Sequence, residues 1–484
     1  MILSNLVKDM PIGYRLIGDG NTEITALSMD SRQEIGKGTL FFCVSGLHMD
    51  AHNFAPNVVK RGASALIVER PLEIDCPQIV VENVRHAMSY IASAFHGNPS
   101  SKLKMLGITG TKGKTTTSFL LKSILEKAGY KVGLIGTVCT LIGDKQKDAG
   151  KTTPDPIEFQ ELLHEMVDEG VDYVVMEVSA HALHMHRIAG VMFEAAAFTN
   201  LSVDHLDYFK TMENYLEAKL LIKEQCRALF INCDDERVIS RAQEKGIDFV
   251  RFGIRAQADV YAREIEFTEN GLSFTLCYHK RKKAEINMNM TGIFNVYNAL
   301  TAASIAEKIG IDVLAIKAGL EAVKAVPGRI ELLDTKTPYR VILDYAHSPD
   351  ALENILKAVR PTTKGRLICL FGCGGGRDQT KRPIMGEISG KLADLSIITS
   401  DNPRNEVPMT IIQSIVEGIE QTSGEYVVIE NRREAIRYAL SIANEADAIV
   451  LAGKGHETYQ EINGVKYPFD EKVIVQELLE EAGV

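Results

Sequence analysis

The chain has 484 residues, too many for one ordinary hydrophobic core and enough for about three domains. A hydrophobic fraction of 45% and a charged fraction of 24% belong to a globular protein, and a net charge of −10 argues against broad nucleic-acid binding. No apolar run reaches the ~18 residues of a membrane span, and the start, from Met1 to Met10, lacks the basic and apolar stretches of a signal peptide.

Up to about residue 97 the chain reads as short strands at 38–44, 63–68 and 78–81, then a helix over 84–95. The polar, turn-rich stretch 96–101 reads as a linker. From Leu103 strands and helices alternate: a strand at 105–109, a helix at 116–128, then strands at 173–178, 195–199 and 228–232. Such repeated units imply a mostly parallel sheet covered on both faces. Residues 266–276 read as a hairpin around Asn270-Gly271, and 295–309 as a helix. A second boundary falls at 325–329. Beyond it come strands at 340–344, 366–371, 393–399 and 448–452, with a helix from about Pro349. The expectation is an α/β chain with domains at 1–97, 98–328 and 329–484, and no solenoid, because no fixed-period repeat is visible. Eight scattered cysteines form no CxxC, so zinc is not expected; free thiols in a reducing cytoplasm are.

Residues 108–117, Ile-Thr-Gly-Thr-Lys-Gly-Lys-Thr-Thr-Thr, lie between a predicted strand and helix. There Gly110, Thr111, Lys112, Gly113, Lys114, Thr115 and Thr116 can cradle phosphates with main-chain amides and a helix N-terminus. Lys114 would reach the terminal phosphates and the Thr115 hydroxyl a magnesium ion. The common pattern would need glycine at position 108, which is Ile108, so this loop is a shorter form. Glu177, near a strand's carboxyl end, reads either as a magnesium ligand or as a polar strand terminus. His205, between Asp204 and Asp207, could supply a second ligand. His181, His184 and His186 lack the partners of a zinc site and read as loop and helix residues. Asp401-Asn402-Pro403-Arg404 ends a predicted core strand and reads as a turn or as a binding loop.

Taken together the motifs resemble those of the Mur ligases, ATP-dependent amide-forming enzymes of peptidoglycan precursor synthesis. The resemblance runs over nearly the whole chain: Asp30-Ser31-Arg32, the loop at 109–116, Glu177-Val-Ser-Ala-His181, residues 200–208, Glu217-Ala-Lys219, Asn295 to Asn298, Pro327 to Glu331, Asp344 to Pro349 and Gly453 to Glu457. It implies three domains, with a central phosphate-loop sheet and a Rossmann-like C-terminal domain. The branch it resembles adds the third residue to UDP-N-acetylmuramoyl-L-alanyl-D-glutamate. In relatives that add meso-diaminopimelate, an Asp-Asn-Pro-Arg loop recognises that amino acid; lysine-adding relatives usually replace the arginine. Diaminopimelate has a distal carboxylate that a guanidinium can fork, and a buried Arg404 would be left unpaired by lysine.

The resemblance further implies that Ser31, Thr152, Thr153, Ser179 and Arg187 hold the UDP-muramoyl peptide. Arg377, Asp401, Asn402, Pro403, Arg404, Gly453 and Glu457 would contact diaminopimelate, and Asn295, Arg329 and Asp344 the nucleotide. Lys219 matches a lysine carboxylated by CO2; sequence chemistry alone would make it a solvated helix lysine. Magnesium would sit on Thr115, Glu177, His205 and carboxylated Lys219, with Lys114, Lys219 and His205 as the catalytic set. Two positions depart from the family: Met185, where some relatives have glutamine, and Phe209, where many have histidine. The implied protein is a cytoplasmic monomer with no nucleic-acid partner and no membrane span, whose C-terminal domain closes onto the central one. The competing readings are a lysine-adding ligase, a folylpolyglutamate synthetase and a nucleotide switch; the guanine motif Asn-Lys-x-Asp of GTPase switches is absent.

Overall fold

The computed structural model describes residues 1–46, 49–255, 258–268, 271–279 and 281–483. The chain divides into two compact units, Met1–Phe252 with Thr301–Ala315, and Gly253–Leu300 with Ile316–Val484.

The first unit opens with a five-stranded sheet ordered Tyr14–Ile17, Gln78–Val81, Ala65–Val68, Thr39–Phe42, Ala26–Ser28. Only the first pairing is antiparallel. Thr39–Phe42 and Ala65–Val68 are buried along their whole length, as apolar strands covered on both faces should be. Leu40, Phe42 and Ile67 pack on Val84, Met88 and Ile91 of the helix Val84–Phe95, while Phe41, Leu66 and Val68 meet Ala55 and Val58 on the other face.

The second sheet of this unit carries the phosphate loop. Val250–Gly253, Leu229–Asn232, Phe193–Phe198, Lys104–Thr109, Tyr173–Glu177 and Val132–Ile135 run parallel in that order. Cys139–Ile142 and Lys145–Asp148 then extend the edge antiparallel. The strand Lys104–Thr109 lies between two parallel neighbours, so the loop leaving it opens at the carboxyl edge where ligands of such sheets bind. The helix Lys114–Lys127 begins two residues earlier than the apolar pattern suggests, because Gly113, at φ +84°, turns the chain into it.

The second unit holds an antiparallel meander, Val260–Thr268, Gly271–Tyr278 and Arg281–Met288. The expected hairpin is present; its turn residue Asn270 lies outside the described residues. A six-stranded sheet follows, ordered Glu331–Leu332, Arg340–Asp344, Ala448–Ala452, Leu367–Phe371, Leu395–Ile398, Glu425–Val428, parallel except for its first short strand. Helices Pro349–Val359, Lys381–Leu392 and Pro408–Ile419 cover one face, and Arg432–Ile442 and Glu471–Glu481 the other. Ala448–Ala452, last of the parallel strands in sequence, inserts between Arg340–Asp344 and Leu367–Phe371. This places the loops after Phe371, Ile398 and Ala452 at one carboxyl edge. A two-stranded hairpin, Tyr459–Ile462 with Val465–Pro468, completes the unit.

Candidate functional site

In the first unit the phosphate loop is gripped from the adjacent strand end. Asn200 accepts the Lys112 amide with Oδ1 at 3.0 Å, donates back to the Lys112 carbonyl at 3.0 Å, and accepts the Thr111 amide with its own carbonyl at 2.9 Å. Thr199 Oγ1 donates to the Lys112 carbonyl at 2.7 Å. Gly110 has φ +140°, and a Cβ there would meet Thr199 Oγ1 at 1.9 Å, so only glycine fits. Lys114 Nζ donates to the carbonyls of Gly110 and Thr111, both at 2.9 Å. The Thr115, Thr116 and Thr117 side chains are buried in the first helical turn.

Lys219 corrects the expectation of a solvated lysine. It is 1% exposed, and its Nζ donates to the same Gly110 carbonyl at 2.8 Å while facing the Tyr215 ring. Burial, and then the Lys114 charge beside it, push the Lys219 ammonium well below the usual lysine range. Two lysines thus share one carbonyl at the head of the loop.

Glu177 is fully buried at the end of its strand, beside the strand that feeds the loop. The Thr137 amide and hydroxyl both donate to its carboxylate at 2.9 Å, so Thr137 orients it. Nothing in the residue pattern around Thr137 signalled that role. His205 stands at φ +55° ahead of a short helix, half exposed, with its ring 4.9 Å from that of His181. The buried half of the ring, and then the charges of Lys114 and Lys219, lower its imidazole, against the opposing charges of Asp204 and Asp207. His184 meets the Tyr208 hydroxyl, and His186 stacks on His86. Among the described residues no three His, Cys, Asp or Glu side chains gather as a metal site. The magnesium set expected here is of another kind, a threonine, a glutamate, a histidine and a lysine.

A second group in this unit lies beyond the same sheet edge. Thr153 Oγ1 donates to the Glu177 carbonyl at 2.9 Å and accepts the Ser179 amide at 3.0 Å. Arg187 donates to the Thr153 carbonyl at 3.1 Å and pairs with Asp155 at 3.2 Å, and Thr152 touches Thr137 at 3.1 Å. The structure therefore brings Thr152, Thr153, Ser179 and Arg187 together. Ser31 lies on the turn between the N-terminal strands Ala26–Ser28 and Thr39–Phe42, where its carbonyl accepts Arg61. Met185 contributes its sulfur to Arg187 at 3.7 Å, and Phe209 is buried against His181 and Tyr215. Both departures from the family pattern are thus packed into this neighbourhood.

The second unit assembles the other predicted set. Asp401 and Asn402 are buried at the end of their strand. Asn402 donates to Glu457 at 2.8 Å and accepts both the buried Lys454 ammonium at 3.2 Å and the Glu461 amide at 2.9 Å. A Cβ on Gly453 would meet Asp401 Oδ2 at 2.6 Å, which explains the glycine. Arg404, at φ +52°, donates from Nη1 to the Gly375 carbonyl at 2.7 Å and from Nε to Glu461 at 3.2 Å. This corrects the picture of a buried arginine waiting for a carboxylate: the side chain is 26% exposed and already ion-paired. Arg377 is exposed on the glycine-rich turn, next to Gly376, whose amide is tied to Glu406 at 2.6 Å. Lys454, Gln460 and Glu461 were not singled out by sequence reasoning, although Lys454 stands inside the Gly-Lys-Gly-His-Glu run.

Of the remaining nucleotide candidates, Arg329 lies over the Tyr345 ring at 4.7 Å, and Asp344 accepts the Ile330 amide at 2.8 Å. Burial pushes the Asp344 carboxyl up, and Arg329 opposes that shift. Asn295 is buried in the first turn of its helix and bonds Thr291 and Asn298; these local contacts do not join it to Arg329 or Asp344.

Comparison with known proteins gives the chain relatives over its whole length. Residues 108–306 match the Mur ligase middle domain, and residues 328–455 the Mur ligase, glutamate ligase domain. The chain is 46% identical over 486 aligned residues to the UDP-N-acetylmuramoyl-L-alanyl-D-glutamate--2,6-diaminopimelate ligase 1 of Clostridium acetobutylicum, covering 99% of this chain and 100% of that one. A solved structure of a UDP-N-acetylmuramoyl-L-alanyl-D-glutamate--2,6-diaminopimelate ligase superposes with a TM-score of 0.70 at 30% identity, covering 100% of this chain and 99% of that one. The MurF ligase of Thermotoga maritima, solved in complex with ADP, shares the fold at a TM-score of 0.64 and 18% identity, covering 95% of this chain and 99% of that one. With the parallel sheets and the phosphate loop in place, likeness at this level over the full length makes the chain a member of the Mur ligase family.

Proposed function

We infer that this chain is an ATP-dependent ligase that joins meso-2,6-diaminopimelate to UDP-N-acetylmuramoyl-L-alanyl-D-glutamate in peptidoglycan precursor synthesis. End-to-end likeness to relatives of that name carries the reading. The chemistry is carboxylate activation. The γ-phosphoryl group of ATP passes to the D-glutamate γ-carboxylate, the amine of diaminopimelate attacks the acyl phosphate, and phosphate leaves.

The residues fit these steps. The loop amides from Gly110 to Thr116 receive the phosphates, and Lys114 exchanges its carbonyl partners for them as charge develops. Lys219 is suited to carbamylation, because CO2 adds to a neutral amine with loss of a proton, and burial favours that form. A carbamate beside Lys114 would turn the repulsion of two cations into attraction. With that oxygen donor, Thr115 and Glu177 would offer magnesium, a hard cation, the oxygen ligands it prefers, and His205 would complete the set. Bound there, magnesium would neutralise charge on the transferred group. Thr152, Thr153, Ser179 and Arg187 would bind the muramoyl peptide, and Ser31 the uridine end. Asn295, Arg329 and Asp344 would contact the nucleotide. In the second unit Arg377, Asp401, Asn402, Pro403, Arg404, Gly453 and Glu457 would receive diaminopimelate, with Arg404 on its distal carboxylate. Domain limits at 1–97, 98–328 and 329–484 keep each sheet that bears one of these groups whole. We place the enzyme in the cytoplasm, as a monomer.

The test uses purified protein, ATP, magnesium and UDP-N-acetylmuramoyl-L-Ala-D-Glu, following phosphate release and product mass with meso-diaminopimelate and separately with L-lysine. Turnover with diaminopimelate is expected, at a kcat/KM well above that for lysine. Turnover with lysine alone would replace the proposed substrate, and turnover with neither, in protein that binds ATP, would overturn the reading.

A further inference from the structure

Arg404 has a counter-charge that no assignment of the amino-acid site includes. Glu461 lies on the hairpin strand Tyr459–Ile462, and its Oε2 accepts Arg404 Nε at 3.2 Å. The Gly375 carbonyl takes one hydrogen of Nη1 at 2.7 Å. A guanidinium has five N–H donors, so Nη2 and the second Nη1 hydrogen remain, forming the end that forks a carboxylate. The main chain fixes the geometry as well. The Arg404 amide donates to the Glu461 carbonyl at 3.0 Å, and the Asn463 amide to the Arg404 carbonyl at 2.8 Å. The Glu461 amide donates to Asn402 at 2.9 Å, and Gln460 Nε2 donates to the Asp401 carbonyl at 2.6 Å. The hairpin strand is thus the wall that backs the Asp401–Arg404 loop, and Glu461 is the carboxylate on that wall that reaches the arginine.

We propose that Glu461 is a specificity-determining residue: by neutralising Arg404 in the empty site, it sets how strongly the site separates an amino acid with a distal carboxylate from one without. The inference rests on the reading of the Asp401–Arg404 loop as the amino-acid site. With Glu461 in place, a bound lysine leaves Arg404 paired, and its ε-ammonium meets a neutral ion pair rather than a bare cation. A distal carboxylate gains the guanidinium fork but also meets the nearby Glu461 charge. Both effects compress selectivity, and both arise from the charge rather than from the hydrogen bond.

Glu461→Gln removes the charge and keeps an acceptor for Nε. The main-chain bonds that hold the loop do not depend on the side chain, so the variant is expected to fold. The measurement is kcat/KM for meso-diaminopimelate and for L-lysine in the wild type, in Glu461→Gln and in Arg404→Ala, with KM for ATP and for the muramoyl dipeptide as controls. The expected result is a rise of about tenfold in the ratio of diaminopimelate to lysine for Glu461→Gln, with the control constants unmoved. An unchanged or lower ratio, while Arg404→Ala loses diaminopimelate turnover, would overturn this inference and leave the site reading standing. Diaminopimelate turnover unaffected by Arg404→Ala would overturn both.

Discussion

The phosphate loop and the Asp401–Arg404 loop each follow a strand of a parallel sheet, yet they are built from different materials. The first is made of main chain. Its amides and carbonyls are held by Asn200 and Thr199, and its lysines rest on the carbonyls of Gly110 and Thr111. The second is built largely from side chains: Asn402, Lys454 and Glu457 bond one another, and Arg404 pairs with Glu461. A main-chain cradle reads a phosphate, which every nucleotide carries. A side-chain network is suited to reading one amino acid. The first should fail when atoms are added and the second when charges are changed.

The largest effect expected is at Lys219, whose buried side chain donates to the Gly110 carbonyl at the head of the main-chain cradle. Lys219→Ala should lower kcat by at least about a thousandfold, through loss of the group that would bring a metal-binding oxygen to the site. In the wild type, 13C-bicarbonate should produce a carbamate carbon signal that the variant lacks. A fall of less than tenfold would take Lys219 out of the mechanism. Gly110→Ala comes next. Its Cβ would lie 1.9 Å from Thr199 Oγ1 at a φ of +140°, so a stability loss of about 2–3 kcal/mol and loss of nucleotide binding are expected in thermal melts and calorimetry. A variant that still bound ATP normally would show that the loop tolerates a shift and that its shape is not the recognition element.

Arg404→Ala tests the other material. Diaminopimelate kcat/KM should fall about a hundredfold, the loss of a forked charge-assisted contact, with little change in melting temperature because the side chain is 26% exposed. Lysine turnover should hold or rise, since Glu461 is then free to meet an ammonium. Equal losses for both amino acids would mean that Arg404 supports the loop rather than reading the substrate.

The same contrast explains what was legible in the sequence. Arg340–Asp344 and Ala448–Ala452 are apolar runs buried in a parallel sheet, and their limits could be read directly. Lys145–Asp148 is exposed at every position and Tyr14–Ile17 at nearly every one, so neither carries an apolar signal, and both were missed. The phosphate loop was legible because a main-chain cradle needs glycines, lysine and threonine at fixed local spacing. The environment of Lys219 was not, because its partner Gly110 lies 109 positions away. Arg404 could be named from its motif, but its pairing to Glu461 spans 57 positions and depends on how a hairpin folds back. Local spacing points to candidate residues; it does not reveal what already neutralises them.

The smallest effect should come where the main-chain site carries an ion pair of its own. Lys112 Nζ lies 3.1 Å from Asp204, with the two side chains 30% and 27% exposed, close to the exposure of Arg404 and Glu461. Pairs this exposed are screened and contribute about 0.2–1 kcal/mol. Lys112 is also held by its amide and carbonyl through Asn200, which the ion pair does not influence. Asp204→Asn keeps the oxygen that accepts the His205 amide and removes the charge and the acceptor that face Lys112. It should therefore change stability by less than about 1 kcal/mol and the KM for ATP by less than about threefold. Glu461→Gln, an equivalent charge removal in the side-chain site, should move amino-acid selectivity about tenfold. If Asp204→Asn instead disabled ATP binding, the phosphate loop would depend on its charges as the amino-acid loop does, and the division between the two sites would fall.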